Sequence, residues 1–347
     1  MKAENKGCGM MTRRAFWIAF FGFILFLAGC GAKSQEDVVR DLEEKAKTMK
    51  GYKLEARMTL AMGSEPHEYE IEVWHNKPGY YRVFMKNAKP EQSQMILKND
   101  EGVYVLTPAL KKSFKFQSDW PDNTGQPYLY ESLVKDILED KNAKFKTTDD
   151  HYIFETKTRY HYQKMLPIQK VTFDRKSLAP VQVQVMDPDR NVMLAVKFSK
   201  TTFDAPFDEG SFDLDRNMTG AQLEIPALSE SKSEDFVVKI PMAELPGTQL
   251  VEEKEVKTDN GTRIVMTFDG EKSFTFMQEK VEVLETAGLS STFVNGDPVD
   301  LGFAVGALTD HSLTWTVGDV EYMIASNDLT KEEMVMLARS IQSETGK

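Results

Sequence analysis

The side chain with the most specific chemistry in this sequence is the thiol of Cys30, which ends the motif Leu27-Ala28-Gly29-Cys30. This motif is the pattern at which a diacylglyceryl group is transferred to a cysteine in lipoprotein precursors. It follows an apolar run over residues 15–28 and a segment with the basic residues Lys2, Lys6, Arg13 and Arg14. That arrangement is typical of an export signal. Residues 1–30 are therefore predicted to be a lipoprotein signal peptide, with Cys30 as the lipidation site and palmitate among its acyl chains.

A transmembrane anchor is the alternative interpretation of the apolar run. Crossing a bilayer takes about 20 apolar residues, whereas residues 15–28 supply only 14. Two acyl chains hold a protein far more firmly than one, which gives marginal and reversible binding. The sequence thus favours a protein that stays at a membrane surface through its lipid.

No other group of residues has the spacing of a catalytic or metal site. The sequence contains no G-x-S-x-G elbow, no H-E-x-x-H motif and no phosphate-binding glycine loop. None of its five histidines has another histidine three or four residues away, and Cys8 would leave with the leader. The sequence therefore predicts a protein that is not an enzyme and that uses no metal and no cofactor.

The net charge of the chain also argues against some classes of binding partner. The formal net charge is −11, and removal of the basic leader would lower it to −14. Nucleic acids and anionic lipid surfaces are themselves negative, so an acidic body argues against both as partners.

The spacing of apolar residues predicts a mainly β (α+β) protein. Residues 34–50 are expected to form a helix with Ser34 as N-cap, Asp37 three residues later and Gly51 as stop signal. From Tyr52 onward the period becomes two, and short strands separated by turn signals indicate an antiparallel curved sheet or barrel. One helix is expected over residues 128–140, with an apolar stripe that covers a face of the sheet.

Two of the predicted strands, at residues 80–85 and 103–106, are apolar on both faces. A strand with one wet face alternates between apolar and polar residues, so these strands are expected to be covered on both sides. Either helices cover them, or one face lines an apolar cavity.

A change of composition divides the chain. Residues 219–235 are rich in Ser, Glu and Pro and lack periodicity, which predicts a linker between a domain over residues 31–218 and a small α+β domain over residues 236–347. The second domain has strand patterns at residues 262–268, 273–278, 312–317 and 320–325. Its last helix is expected to start with a capping box formed by Thr330 and Glu333.

A series of motifs in the first domain follows the order of a known family. The series comprises Val73-Trp74, Lys77-Pro78-Gly79-Tyr80-Tyr81-Arg82, residues 94–97, residues 101–108, Trp120 and the helix after Tyr128. In this order they resemble the lipoprotein carriers typified by LolA, whose fold LolB shares. The resemblance implies an incomplete antiparallel β-barrel with a helical lid and an apolar cavity for acyl chains of lipids or lipoproteins.

The resemblance also implies which residues line that cavity. The basic residue before the proline falls on Lys77, where the carriers usually have Arg, and the aromatic residue of the next strand falls on Tyr81. Both are expected near the cavity mouth. The further cavity candidates are apolar: Phe84, Met95, Val103, Val105, Leu133 and Ile137.

Residues 103–130 are similar to an anchored branch of this family, the sporulation or germination lipoproteins of endospore-forming bacteria. Those bacteria generally lack an outer membrane, so the resemblance implies a place at the outer face of the cytoplasmic membrane. A lipidated protein cannot ferry cargo freely. The leading hypothesis is a stationary lipid- or lipoprotein-binding protein of envelope or spore assembly or germination.

The C-terminal domain supports an alternative hypothesis. Residues 315–318 and 329–341 resemble an uncharacterised module of spore-former lipoproteins and anti-sigma-like membrane proteins. A periplasmic stress sensor likewise joins a carrier-like barrel to a smaller domain that binds an anti-sigma factor. The resemblance thus also allows an envelope regulator or scaffold that binds a protein partner through its C-terminal domain.

Overall fold

The computed structural model describes residues 33–61, 66–118, 120–121, 125–160, 163–225, 237–258, 261–281 and 291–343. The predicted signal peptide with Cys30 and most of the predicted linker lie outside these residues. The described helices are α1 (Gln35–Thr48), α2 (Tyr130–Glu139), α3 (Leu214–Glu224) and α4 (Lys331–Arg339). The strands of the first half are β1 (Gly51–Leu60), β2 (His67–Asn76), β3 (Tyr80–Asn87), β4 (Gln94–Asn99), β5 (Gly102–Thr107), β6 (Lys112–Phe116), β7 (Lys144–Thr147), β8 (His151–Lys157), β9 (Ile168–Asp174), β10 (Pro180–Met186) and β11 (Val192–Phe203). Those of the second half are β12 (Lys239–Pro241), β13 (Thr248–Thr258), β14 (Gly261–Gly270), β15 (Phe274–Lys280), β16 (Ser291–Val294), β17 (Asp297–Asp300), β18 (Val305–Leu308), β19 (Ser312–Val317), β20 (Val320–Ala325) and β21 (Ile341–Ser343).

Most of these strands belong to one large sheet. Twelve strands pair in the order β16-β6-β5-β4-β3-β2-β1-β11-β10-β9-β8-β7. Neighbours are antiparallel except β16 and β6, which are parallel. A second sheet has the order β13-β14-β15-β20-β19-β18-β17, and β12 pairs with β21. The predicted mainly β, antiparallel architecture is confirmed; the twelve-stranded sheet is open, with β16 and β7 at its edges in the described part of the chain.

Two helices begin where the sequence predicts. The backbone N–H of Asp37 donates to Ser34 Oγ at 3.2 Å, and the backbone N–H of Glu333 donates to Thr330 Oγ1 at 3.3 Å. The carboxylates of Asp37 and Glu333 accept from the backbone N–H groups of Ser34 and Thr330 in return. Each pair is a capping box, which satisfies backbone donors that the first turn leaves free.

The helix α3 was not expected, and it corrects the predicted linker. Residues 219–224, assigned to the linker, are helical, because Asp213 caps the helix by accepting from the backbone N–H of Arg216 at 2.8 Å. Met218, Ala221 and Ile225 pack against the large sheet in a buried cluster of their own. We call the face that α3 covers the outer face of the sheet, and the face on which α2 packs the inner face.

The two predicted domains share one sheet and one core. The strand β16 belongs to the C-terminal part, yet it pairs with β6 of the N-terminal part, and the Oγ atoms of Ser113 and Ser291 lie 2.8 Å apart. One continuous apolar cluster includes Val38 of α1, Val83 of β3 and Met334 of α4. The division after residue 218 therefore separates stretches of sequence that pack together as one body.

Candidate functional site

Five of the eight predicted cavity residues lie together on the inner face of the large sheet. They are Tyr81, Val103, Val105, Leu133 and Ile137, and all belong to the same buried cluster. The first three come from β3 and β5, and the other two come from α2, which lies across this face. The helix predicted over residues 128–140 is present as α2 (Tyr130–Glu139), and its Leu133 and Ile137 face the sheet.

Phe84 and Met95 lie on the opposite face, so their assignment to the same cavity was wrong. Successive side chains of a strand point to alternate faces, which places Phe84 across the sheet from Val83 and Met85. Phe84 pairs with Met95, and both are fully buried beneath α3. The prediction failed because the helix that covers this face had been assigned to a linker.

Lys77 also has a different position from the predicted one. Its Nζ donates to the carbonyl oxygens of Ala46 at 2.6 Å and Lys47 at 2.8 Å, in the last turn of α1. These carbonyls have no partner within the helix, and a cation there also complements the helix dipole. Lys77 is therefore a helix cap that joins α1 to the β2–β3 turn.

Tyr81 belongs to a buried aromatic group beside the start of α2. Its ring stacks on His75 with centroids 4.2 Å apart and meets the edge of Trp120 at 5.7 Å. His75 is 2% exposed. Its Nδ1 lies 3.0 Å from the carbonyl oxygen of Tyr80, and its Nε2 lies 2.9 Å from a carboxylate oxygen of Glu131. A carbonyl oxygen only accepts, so Nδ1 donates in the contact with Tyr80, while Nε2 faces the carboxylate.

The same carboxylate connects three elements. Tyr52 Oη, from β1, donates to the second oxygen of Glu131 at 2.9 Å. The same hydroxyl accepts from the backbone N–H of Tyr130 at 3.2 Å. The first turn of α2 is thus fixed to β1 and β2 by side chains that are mostly buried.

A second polar group holds the middle of α2. Asp136 is 2% exposed and accepts from Arg159 Nε and Gln169 Nε2. Burial raises the pKa of Asp136 to about 6, even though the positive charge of Arg159 and both hydrogen bonds act to lower it. Arg159 Nη2 also donates to Ser132 Oγ at 3.3 Å.

The space between α2 and the sheet is small. A cleft of about 40 Å³ lies between the helix and Tyr81, lined by Tyr81, Pro121, Leu129, Glu131, Ser132, Lys135 and Arg159. Sites for small ligands usually enclose about 300–1,000 Å³. This cleft therefore has room for water and not for an acyl chain while α2 is in place.

The other end of the inner face is covered by the C-terminal part. Gln94 Oε1 accepts from the backbone N–H of Val305 at 2.8 Å, and Gln94 Nε2 donates to the carbonyl of Thr316 at 3.3 Å. Tyr69 Oη donates to the carbonyl of Phe303 at 3.1 Å. Gly302 has a φ of 86°, and a Cβ there would lie 2.8 Å from Leu60 Cδ2, so this close approach requires glycine.

Sequence reasoning missed the polar residues that fasten α2, and one signal could have found His75. The apolar alternation Tyr69, Ile71, Val73 places position 75 on the same inner face, where a histidine must find partners. Nothing local in the sequence indicates that Gln94 reaches Val305, since that contact spans more than 200 residues.

A groove of about 690 Å³ is present in the C-terminal part. Its walls are the segment before β13, the start of β13, the end of β14 and the start of β15. The lining residues are Pro241, Met242, Ala243, Glu244, Leu245, Pro246, Gly247, Thr248, Gln249, Leu250, Phe268 and Phe274. Phe268 and Phe274 stack with centroids 4.3 Å apart. At its rim, Met242 is 52% exposed and Leu250 is 45% exposed.

In the described part of the chain, no helix has the length and apolar character needed to cross a membrane. Among the same residues, no group of three or more His, Cys, Asp or Glu side chains is arranged to hold a metal ion.

Comparisons with known proteins identify a close relative. No protein-family model matches the chain. Two solved structures are distant: the Pseudomonas aeruginosa MucA/MucB complex (11% identity, 89% of this chain and 99% of that one, TM-score 0.34) and a LolA superfamily protein of Nitrosomonas europaea (11% identity, 51% and 98%, TM-score 0.30). The chain is 49% identical over 339 residues to the sporulation protein YdcC of Bacillus subtilis strain 168, a match that covers 97% of this chain and 99% of that protein. The chain therefore belongs to the same family as the Bacillus subtilis sporulation protein YdcC.

Proposed function

We propose that the chain is a lipid-anchored, non-enzymatic binding protein that acts in sporulation at the outer face of the cytoplasmic membrane. The role in sporulation is supported by the relative that matches almost the whole chain and is described as a sporulation protein. The anchor is supported by the motif that ends at Cys30, and the absence of catalytic activity by the lack of catalytic motifs in the sequence.

We further propose that the C-terminal part binds a protein partner. The observation that carries this proposal is the open groove beside β13, with exposed apolar side chains at Met242 and Leu250. Exposed apolar groups beside a groove mark interaction sites more often than isolated ones do. The inner face of the large sheet, in contrast, is filled by α2 and by the C-terminal part.

The best test uses surface variants, since removal of residues 236–347 would also take away β16 and part of the shared core. The double variant Met242→Glu/Leu250→Glu should lose its main cross-linked partner when sporulating cells are cross-linked and the protein is recovered for mass spectrometry. The control is Leu223→Glu, at a residue of α3 that is 86% exposed. Identical partners for the double variant and the wild type would contradict the proposal.

An acyl chain is the second candidate ligand. It is favoured by the apolar side chains that share the inner face beneath α2, namely Tyr81, Val103, Val105, Leu133 and Ile137. Because the cleft there measures about 40 Å³, an acyl chain would have to displace α2 in order to bind. Native mass spectrometry of protein purified from its own membranes should then show bound lipid, and Tyr81→Glu should remove it while Tyr80→Glu should not. Protein that carries no lipid would contradict this candidate.

The anchor has its own test. Cys30→Ala should move the protein from the membrane fraction to the soluble fraction, and the intact mass of the wild type should show the added acyl groups. A Cys30→Ala protein that stays in the membrane would mean that the leader is a membrane anchor.

A further inference from the structure

The outer face of the large sheet carries a basic surface on its uncovered half. Across β7, β8, β9, β10, β11 and β1, one row of paired outer positions contains Lys146, Ile153, Thr172, Gln182, Lys197 and Arg57. The neighbouring row contains Lys144, Glu155, Lys170, Gln184, Ala195 and Thr59. These two rows hold five basic side chains and one acid, in a chain whose net charge is −11.

These charges face solvent. Inner positions of β8 and β9 are buried, whereas their outer positions are partly exposed, and Lys144, Lys146, Lys197 and Arg57 are exposed. The single acid, Glu155, is paired with Lys144 at 2.7 Å and with Arg190, so its charge is already balanced. Strands are spaced about 4.8 Å apart, so a row across six strands is roughly 24 Å long. Acids lie around these rows, in the turns at residues 149–150 and 187–189 and on β2, where Glu70 and Glu68 are opposite Arg57 and Thr59. The basic surface is therefore centred on β7–β11.

The start of the described chain lies at the same edge of the sheet. Gln35, the first residue of α1, donates from its Nε2 to the carbonyl of Ala143 at 3.0 Å, and Ala143 directly precedes β7. Only four residues separate Gln35 from Cys30. Five residue steps span at most roughly 18 Å. The proposed acyl group on Cys30 would therefore hold the β7 edge close to the membrane.

From these two observations we propose that the outer face of β7–β11 lies against anionic lipid headgroups of the membrane that holds the protein. This inference rests on the proposed lipid anchor and adds the orientation of the body. Basic side chains near an anionic surface are attracted within about one Debye length, roughly 8 Å at physiological salt. The net acidic charge argues against anionic lipids as a partner of the whole body, but the charge is unevenly distributed. Only the basic face is expected to face the membrane, with acidic surfaces such as the one at Asp100, Glu101, Asp208, Glu209 and Asp213 directed away from it.

The experiment uses the mature lipidated protein in vesicles of neutral phosphatidylcholine, with or without 30% phosphatidylglycerol. A fluorophore is placed by Thr172→Cys in the basic row, or by Glu253→Cys on the exposed strand β13, and lipids with a quencher near the headgroup are added. In anionic vesicles we expect quenching at position 172 to be several-fold stronger than quenching at position 253. Quenching at position 172 should fall when the vesicles are neutral or when the salt concentration is raised.

Charge reversal supplies the matched control. The triple variant Lys146→Glu/Lys170→Glu/Lys197→Glu should abolish the stronger quenching at position 172. The triple variant Lys89→Glu/Lys254→Glu/Lys257→Glu changes the net charge equally at exposed lysines elsewhere and should keep it. Circular dichroism and urea unfolding should show that both variants are folded.

Two negative outcomes are distinguishable. Lipidated protein that is quenched equally at positions 172 and 253, or that is unaffected by reversal of the basic row, overturns the orientation and leaves the anchor intact. Protein whose mass lacks the acyl groups overturns the anchor and, with it, the orientation.

Discussion

The two halves of the large sheet differ in what covers their outer face. On β3, β4 and β5 the outer residues Phe84, Met95 and Tyr104 are almost fully buried, because α3 packs on them. On β8, β9 and β10 the outer residues Ile153, Thr172 and Gln184 remain partly exposed. The same difference is present in the sequence. The strand β5 is a nearly continuous run of apolar residues, whereas in β8 and β9 the apolar residues of the inner face alternate with more polar residues. An apolar run thus indicates that a face is covered, and leaves open whether a ligand or the chain itself covers it.

The largest loss of stability should come from truncating a side chain that α3 covers on the outer face. Phe84→Ala removes a fully buried ring between the sheet and α3, and large aromatic truncations of this kind cost about 3–5 kcal/mol. The matched change in the other half, Gln184→Ala, should stay within about 0.5 kcal/mol. Urea unfolding of both variants measures the contrast, and equal values would show that α3 does not cover the sheet in solution.

The stability of the protein should depend on pH because of Asp136, which is buried between α2 and the inner face of the sheet. Because burial raises the pKa of Asp136 to about 6, ionising this carboxyl costs more in the folded than in the unfolded protein. Its contribution to stability is therefore fully present below pH 4 and is lost as the pH rises through about 6, by up to about 3 kcal/mol.

Asp136→Asn removes this titration. From pH 4.5 to pH 7 the free energy of unfolding of the wild type should fall relative to that of the variant. Urea unfolding of both proteins at each pH measures this difference. A difference that is constant or grows with pH would mean that the Asp136 carboxyl is not buried at Arg159 and Gln169.

The role of α3 as a cover can be tested on the helix itself. Met218→Ala should destabilise the protein by about 2–3 kcal/mol, because Met218 is 1% exposed and packs on the outer face. Leu223→Ala, on the same helix but 86% exposed, should change stability by less than about 0.5 kcal/mol. If residues 214–224 behaved as a linker, both substitutions would be silent in a thermal melt.

The smallest loss of stability is expected at Lys77, in the turn between β2 and β3. Lys77→Met removes a cation that donates to the last carbonyls of α1, which should cost about 0.5–1 kcal/mol at low ionic strength. Urea unfolding in 0.05 M and 1 M salt should show a smaller loss at high salt. An unchanged stability at low salt would exclude this capping role.

Local patterns in the sequence predicted much of the fold. The caps at Ser34 and Thr330 placed two helix starts correctly, and the strands β19 and β20 have the predicted bounds, because capping and alternation are encoded within a few residues. The helix α3 was missed because it contains Gly220 and only a sparse apolar stripe, although Asp213 followed by Met218 and Ala221 was a readable signal. The exposed, highly charged strand β13 was missed because it has no apolar face and is held by its hairpin partner β14.

The candidate site was less predictable than the fold. The cavity candidates Tyr81, Leu133 and Ile137 do share one face, but the sequence could not show that His75, Glu131 and Asp136 fasten α2, because those contacts join distant elements. Lys77 was assigned by position in a motif, and its real partners are carbonyl groups some 30 residues earlier.

The parallel pairing of β16 with β6 has a consequence for how the protein is made. A ribosome releases the chain from its N-terminus, so β6 emerges about 175 residues before the strand that completes its edge. Until then a nascent sheet exposes the backbone of β6, and open edges of this kind invite pairing with other chains. Pairing across such a separation in sequence also slows folding. Chains interrupted before residue 291 should therefore aggregate through this edge, and the last third of the sequence serves partly to cover an edge that the first third leaves unpaired.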